Sequence, residues 1–330
     1  MTNNKFKILS LDGGGVRGYL SIKILENVEK HLNDKDGNEV PIGLRFDLIA
    51  GTSTGSIIAA LLAKGMFAKE AREIYEKSMS KVFKKRSLLE RLFQSKYCSQ
   101  ELKNIVFDTL KDSATQQQLV FNELERDLII TAFDLDEFKP KVFKSDYSKK
   151  NDKKFCVSDA IMASTAAPTY FPAYSDSKAG GVLIDGGMSA NNPSLIALID
   201  ARHFDRKSKK NTLPPETLSD VCLLSIGTGD FKKKLDIRGL KNSPKWDWAI
   251  NLAKRNSPVK EVLFTAQEEM EENKVRLLSE TEGVFYKRIN PKLNEYMELD
   301  DVQNMYKLDR FTSIEEHLSS LEKMLLGASK

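Results

Sequence analysis

Phe46-Asp47-Leu48-Ile49-Ala50-Gly51-Thr52-Ser53-Thr54-Gly55-Ser56-Ile57-Ile58-Ala59-Ala60-Leu61-Leu62 reads as three pieces. Residues 46 to 50 are a short apolar run of the kind that forms a buried strand, and residues 57 to 62 are an apolar run suited to a helix packed under a sheet. Between them, Gly51 to Gly55 makes a tight strand-to-helix turn with Ser53 at its apex, the pattern of a nucleophile elbow. The turn forces the serine into strained backbone angles. A side chain at Gly51 or Gly55 would collide with the neighbouring strand or helix. A reactive serine ordinarily takes its proton acceptor from a histidine, and this chain has only three.

Working outward, the first sixty residues alternate strand, glycine loop, helix, strand, elbow and helix, the signature of a mostly parallel α/β sheet. Lys5 to Leu11 is the first strand. Tyr19 to Leu32 is the first helix, its stripe formed by Ile22, Leu25, Val28, Glu29 and Leu32. Residues 66 to 112 read as mainly helical, with a basic break at Lys84 to Arg86. Asp127 to Phe133 and Lys141 to Lys144 return to strand character, and a lysine-rich loop is expected up to Lys154. A helix from Val157 leads into Ala163-Ser164-Thr165-Ala166-Ala167-Pro168, where proline ends it. Val182 to Ile184 and Val221 to Ile226 are further strands. From Trp246 the chain reads as helical, broken near Gly283 to Pro291. The absence of a repeat or a long linker predicts a single unit spanning 1–330, with its signature-bearing core at 6–230 and a helical portion at 240–330.

Composition sets the class. The 330 residues are 41% hydrophobic and 30% charged, as in water-soluble globular proteins. No apolar run reaches the roughly 18 to 20 residues of a membrane span. The N-terminus lacks a signal-peptide pattern, so a cytoplasmic location is expected, with signal-independent export left open. Cys98, Cys156 and Cys222 are too scattered for a metal motif or a disulfide framework. The net charge of +4 is small but clustered, in Lys81 to Arg86, Lys139 to Lys154, Arg206 to Lys210 and Lys232 to Lys234. Such tracts are solvated faces or hold a protein near anionic lipid or phosphate.

Asp12-Gly13-Gly14-Gly15-Val16-Arg17-Gly18 follows the first strand and opens a helix, so a row of backbone N–H groups favours negative charge there. Gly13 to Gly18 also fits a dinucleotide fingerprint. That reading wants an acidic residue ending the second strand about 20 residues on, where this chain has a polar turn, and it leaves Ser53 without a role. An oxyanion hole uses both motifs, because loops leaving adjacent parallel strands lie side by side. Arg17 then orients the loop, assists the anion, or is a solvated first-turn arginine. His31, His203 and His317 all sit in polar helical stretches, away from strand ends and glycine loops. Asp185 is the better proton acceptor. It ends a strand, and Gly186 and Gly187 after it let backbone approach closely, so its carboxylate would take the Ser53 proton directly.

In this order, the block Asp12 to Gly18, the elbow Gly51 to Gly55, the segment Ala163 to Phe171 and Asp185-Gly186-Gly187 resemble the patatin-like phospholipase family. The resemblance spans about residues 6 to 230. It implies a three-layer α/β/α fold with a mostly parallel sheet and a lipid acyl hydrolase acting on phospholipids, lysophospholipids or galactolipids. It further implies Ser53 as nucleophile, Asp185 as base, and Gly13, Gly14, Gly15 and Arg17 at the oxyanion hole, with no metal and no cofactor. The expected partner is a membrane lipid met at the bilayer surface, with no nucleic-acid polymer and no stable protein partner. Some bacterial relatives of similar size are switched on by cyclic nucleotides and damage the cell's own membrane. The alternative expectation is therefore activation by a nucleotide bound through Arg206 to Lys210 and Lys232 to Lys245, or by a partner protein. A non-catalytic lipid-binding module is disfavoured because every catalytic group is present.

Overall fold

The computed structural model describes residues 5–83, 95–145, 155–176, 181–203, 215–231 and 258–327. The basic stretches at 84–86, 146–154, 206–210 and 232–245, and the expected start of the last helix at Trp246, lie outside the described residues.

Among the described residues, eight strands form one sheet: β1 (Phe6–Leu11), β2 (Leu48–Thr52), β3 (Asp127–Asp134), β4 (Lys139–Lys144), β5 (Tyr174–Asp176), β6 (Gly181–Asp185), β7 (Val221–Ile226) and β8 (Phe285–Ile289). The helices are α1 (Gly18–Asp36), α2 (Thr54–Ala63), α3 (Ala68–Val82), α4 (Gln100–Thr109), α5 (Val157–Ser164), α6 (Gly187–Ala190), α7 (Ser194–His203), α8 (Pro258–Glu282) and α9 (Leu318–Leu325). Strands β3, β2, β1, β7 and β8 lie side by side and parallel. Strands β4 and β6 pair antiparallel with β3, and β5 pairs antiparallel with β6.

Side chains alternate across each strand, and both faces of the sheet are covered, which gives three layers. Leu9, Leu11, Ile49, Leu128, Ile130 and Leu224 pack with α1, α2, α3, α4 and α5. Ile8, Leu48, Ala50, Ile129, Val221 and Leu223 pack with α7 and with Val275 of α8. Helix α2 is buried along its whole length, as its unbroken apolar run requires. Glu29 falls in the apolar stripe of α1 because its carboxylate is a cap: it accepts the N–H of Ile42 at 2.7 Å and that of Ala68 at 3.0 Å. Burial outweighs these bonds and raises its pKa.

The register of β3 positions the chemistry. Asp127 to Thr131 pair with Leu48 to Thr52 of β2, and Ala132 to Asp134 pair with Asp185 to Leu183 of β6. Both stretches also pair with β4. Since a strand has only two edges, β2 and β6 share the same edge of β3. They run toward each other and end on adjacent rungs, Thr52 opposite Thr131 and Asp185 opposite Ala132.

The sequence reading departs from the structure in the C-terminal region. Residues 285–289, expected as a break in a helical region, form β8, an edge strand whose Phe-Tyr-Lys-Arg-Ile composition shows no clean alternation because it is mostly half-buried. Asp185 ends a strand as expected, and that strand is antiparallel to β3 and end-on to β2.

Candidate active site

Ser53 is the residue between β2 and α2 and has φ 52° and ψ −126°, a conformation that costs of order 1–3 kcal/mol outside glycine. Its neighbours hold it there. The Ser53 N–H donates to Ser164 Oγ at 2.8 Å, and its carbonyl accepts the Ser56 N–H at 2.9 Å and the Ser56 hydroxyl at 2.5 Å. A methyl group on Gly51 would lie 2.4 Å from the Gly55 carbonyl oxygen. One on Gly55 would lie 2.5 Å from that of Leu11. Below the elbow, the Thr52 hydroxyl meets that of Thr131 at 2.7 Å and donates to the Ala190 carbonyl at 2.7 Å.

The Ser53 hydroxyl donates to Asp185 Oδ2 at 2.6 Å. The other oxygen, Oδ1, accepts the Gly187 N–H at 2.7 Å, and the Asp185 N–H donates to the Ala166 carbonyl at 3.1 Å. Asp185 is buried, and both carboxylate oxygens are thereby oriented. The partners of His31 and His317 are Glu322 and Glu316, while His203 closes α7.

The glycine loop is clasped from outside. The Gly13 N–H donates to the Asn191 carbonyl at 3.1 Å, while the Gly13 carbonyl accepts Asn191 Nδ2 at 3.3 Å and the Thr228 hydroxyl at 3.2 Å. The Gly14 carbonyl accepts the Arg17 N–H at 3.2 Å, and the Gly15 carbonyl accepts the Tyr75 hydroxyl at 2.5 Å. The Val16 N–H donates to the Leu299 carbonyl at 2.8 Å. Among the described residues, the Gly14 and Gly15 N–H groups have no hydrogen-bond partner. The Arg17 guanidinium lies 5.1 Å from the centre of the Phe231 ring, and its Nε reaches back to the Gly14 carbonyl at 3.5 Å. It braces the loop from the outside.

Asp12, at the foot of this loop, forms a two-point ion pair with Arg288 of β8, at 2.6 Å and 3.3 Å. Burial raises the Asp12 pKa, and Arg288 opposes that rise. Arg288 also donates to Ser225 Oγ at 2.7 Å and lies 3.1 Å from Glu272 of α8.

Fold and contacts thus bring together Ser53, Asp185, Gly13, Gly14 and Gly15, with Gly51, Gly55, Gly186 and Gly187 shaping the turns. Sequence reasoning missed Ser164, Asn191, Thr228 and Arg288. Ser164 sits inside the small-residue segment Ala163 to Phe171, and Asn191 follows Asp185 by six positions, so both have a local signal. Arg288 had none.

The elbow serine thus bonds to a strand-end aspartate beside a glycine loop, at the strand ends of an α/β sheet. The patatin-like phospholipase profile matches residues 9–198, more than half of the chain, which belongs to that family. It is 30% identical over 290 residues to patatin-like protein 4 of Arabidopsis thaliana, covering 81% of this chain and 71% of that one. A cGAMP-activated phospholipase of Vibrio cholerae is 33% identical over 242 residues, covering 68% of this chain and 64% of that one. A cGAMP-activated phospholipase of Escherichia coli is 30% identical over 305 residues, with coverages of 90% and 80%. Among the described residues, no helix is long and apolar enough to cross a membrane.

Proposed function

We propose that the protein hydrolyses fatty-acyl esters of phospholipids or lysophospholipids at the bilayer surface, with Ser53 as nucleophile and Asp185 as base. The supporting observation is the 2.6 Å bond from the Ser53 hydroxyl to Asp185 Oδ2, made by a serine held in strained backbone geometry. Asp185 takes the hydroxyl proton as Ser53 Oγ attacks the ester carbonyl carbon, and negative charge develops on the carbonyl oxygen. The N–H groups of Gly14 and Gly15 receive that charge, since the Gly13 N–H is already engaged by Asn191. Protonated Asp185 gives its proton to the departing alcohol. Water, deprotonated by Asp185, then attacks the acyl-serine, and Asp185 returns that proton to Ser53 Oγ as the acyl–oxygen bond breaks and the fatty acid leaves.

The test is release of fatty acid from phospholipid vesicles by wild type, Ser53→Ala and Asp185→Asn, alongside labelling by a fluorophosphonate. Loss in both variants and label on Ser53 are expected. Undiminished hydrolysis by Ser53→Ala would overturn the assignment.

A second reading makes this hydrolase a gated effector, and the names of the two cGAMP-activated relatives favour it. Under this reading vesicle hydrolysis is silent until a cyclic dinucleotide is added. Full hydrolysis by the purified protein alone would rule it out.

A further inference from the structure

Helix α8 crosses the face of the site that carries the short helix α6. Gln267 Nε2 donates to the Met188 carbonyl at 2.9 Å. One residue on, Glu268 Oε1 accepts from Asn191 Nδ2. The same Nδ2 donates to the Gly13 carbonyl at 3.3 Å, and the Asn191 carbonyl accepts the Gly13 N–H at 3.1 Å. Asn191 therefore holds both sides of Gly13, and Glu268 fixes the rotation of the carboxamide that does so. In a trans peptide the C=O and the following N–H point in opposite directions. Fixing the Gly13 carbonyl consequently fixes the direction of the Gly14 N–H.

From this chain of contacts we infer that Glu268 is a positioning residue for the oxyanion loop, acting through Asn191 and coupling helix α8 to turnover. The inference rests on the acyl-hydrolase reading above for its effect on rate, and on geometry alone for its effect on the loop.

The surroundings make this coupling sensitive to pH. Burial raises the Glu268 pKa to about 7, and the charge of Asp12 adds to the rise, against Arg17, Arg288 and the Asn191 bond. Arg288 is shared with Asp12 and Glu272, and α6 brings no ionisable side chain. Helix α7 carries Asp200, which pairs with Lys144, and Arg202 and His203 at its end. Glu271, Glu272 and Lys274 share α8 with Glu268, and Glu271 is paired with Lys274. Once ionised, Glu268 gives Asn191 a charge-assisted acceptor, roughly twice as strong as a neutral one. The loop should therefore be held most firmly above about pH 7. Stability runs the other way. A carboxyl whose pKa is raised by folding contributes its stability at acid pH and loses it as pH rises through the folded value. Ionisation of Glu268 thus tightens the loop while weakening the fold, an opposition that a purely structural contact would not show.

The test uses Glu268→Gln, which keeps the shape and a neutral acceptor, and Glu268→Ala, which removes the acceptor. With 15N-glycine labelling, the amides of Gly13 to Gly15 should titrate near pH 7 in wild type and not in either variant. With p-nitrophenyl butyrate as probe, wild-type kcat should rise through the same pH. At alkaline pH, Glu268→Gln should be roughly three- to tenfold slower with KM unchanged, since oxyanion contacts act only in the transition state. Its thermal midpoint there should match or exceed that of wild type. Glycine amides that do not titrate, or that titrate equally in Glu268→Gln, would overturn the inference even if the ester is hydrolysed. Absence of both ester hydrolysis and fluorophosphonate labelling in wild type would instead sink the acyl-hydrolase reading, with the amide titration still deciding the role of Glu268.

Discussion

Replacing Asp185 with asparagine separates the chemistry of the site from its architecture. The Gly187 N–H donates to Oδ1 at 2.7 Å, so the asparagine oxygen should take the Oδ1 place and its NH2 should face the Ser53 hydroxyl. The fold then keeps its bond to Gly187, and stability should change by no more than about 1 kcal/mol. The proton acceptor is gone, however, and an N–H donor stands where a lone pair stood. Loss of a general base typically costs 10² to 10⁴ in rate, or about 2.7–5.4 kcal/mol of transition-state stabilisation at 1.36 kcal/mol per decade. The measurement is the rate of fluorophosphonate labelling at Ser53 together with fatty-acid release from vesicles, on protein whose melting curve matches wild type. Labelling at the wild-type rate in a folded Asp185→Asn protein would refute the reasoning, because the 2.6 Å contact would then carry no proton.

Ser164→Ala leaves the Ser53 N–H without its 2.8 Å acceptor at a strained position, and should cost about 1–3 kcal/mol in urea unfolding while slowing labelling. Gly186→Ala would place a methyl group 2.2 Å from Thr131 Oγ1 and 2.4 Å from the Thr131 carbonyl oxygen, forcing β6 away from β3. A loss of about 1–3 kcal/mol by thermal denaturation is expected, with labelling abolished in protein that still shows native circular dichroism. Arg288→Met removes the partner of buried Asp12 and should destabilise by about 3–5 kcal/mol near neutral pH. Burial already raises the Asp12 pKa, and losing the opposing arginine raises it further, so the deficit should shrink as pH falls and Asp12 takes up its proton. A deficit that grows toward acid pH in urea titrations would contradict this.

What could be read in the sequence was local. The apolar runs on either side of Ser53, the glycines at the elbow and the strand ending at Asp185 each carry their signal within a few residues, and the elements formed there, the strand before Ser53 lying two residues later than its apolar run, at Leu48–Thr52. The parts that stayed hidden depend on partners far along the chain. Arg288 looks like an exposed charge in a mixed segment, and only its pairing with Asp12, 276 positions away, explains why it is buried. Glu268 lies in a run of acidic residues on α8 that reads as a solvated face, and nothing nearby points to Asn191. Glu29 announced itself as a charge within an apolar stripe, but its role as a cap needed the N–H groups of Ile42 and Ala68. The open amides of Gly14 and Gly15, against the engaged one of Gly13, depend on a residue that arrives after β6.

The head-on meeting of β2 and β6 along one edge of β3 makes that strand a ruler. Ser53 and Asp185 are separated by 131 intervening residues, yet their spacing is set by two consecutive rungs, Thr131 and Ala132. Insertions within the helices and loops of 54–184 leave that spacing untouched as long as both strands keep their register. A two-residue slip of β6 would preserve every inward-facing side chain and still carry Asp185 about 7 Å out of reach. Apart from the groups that touch the pair, such as Ser164 and Ala166, the intervening loops can therefore vary in length around a fixed gauge.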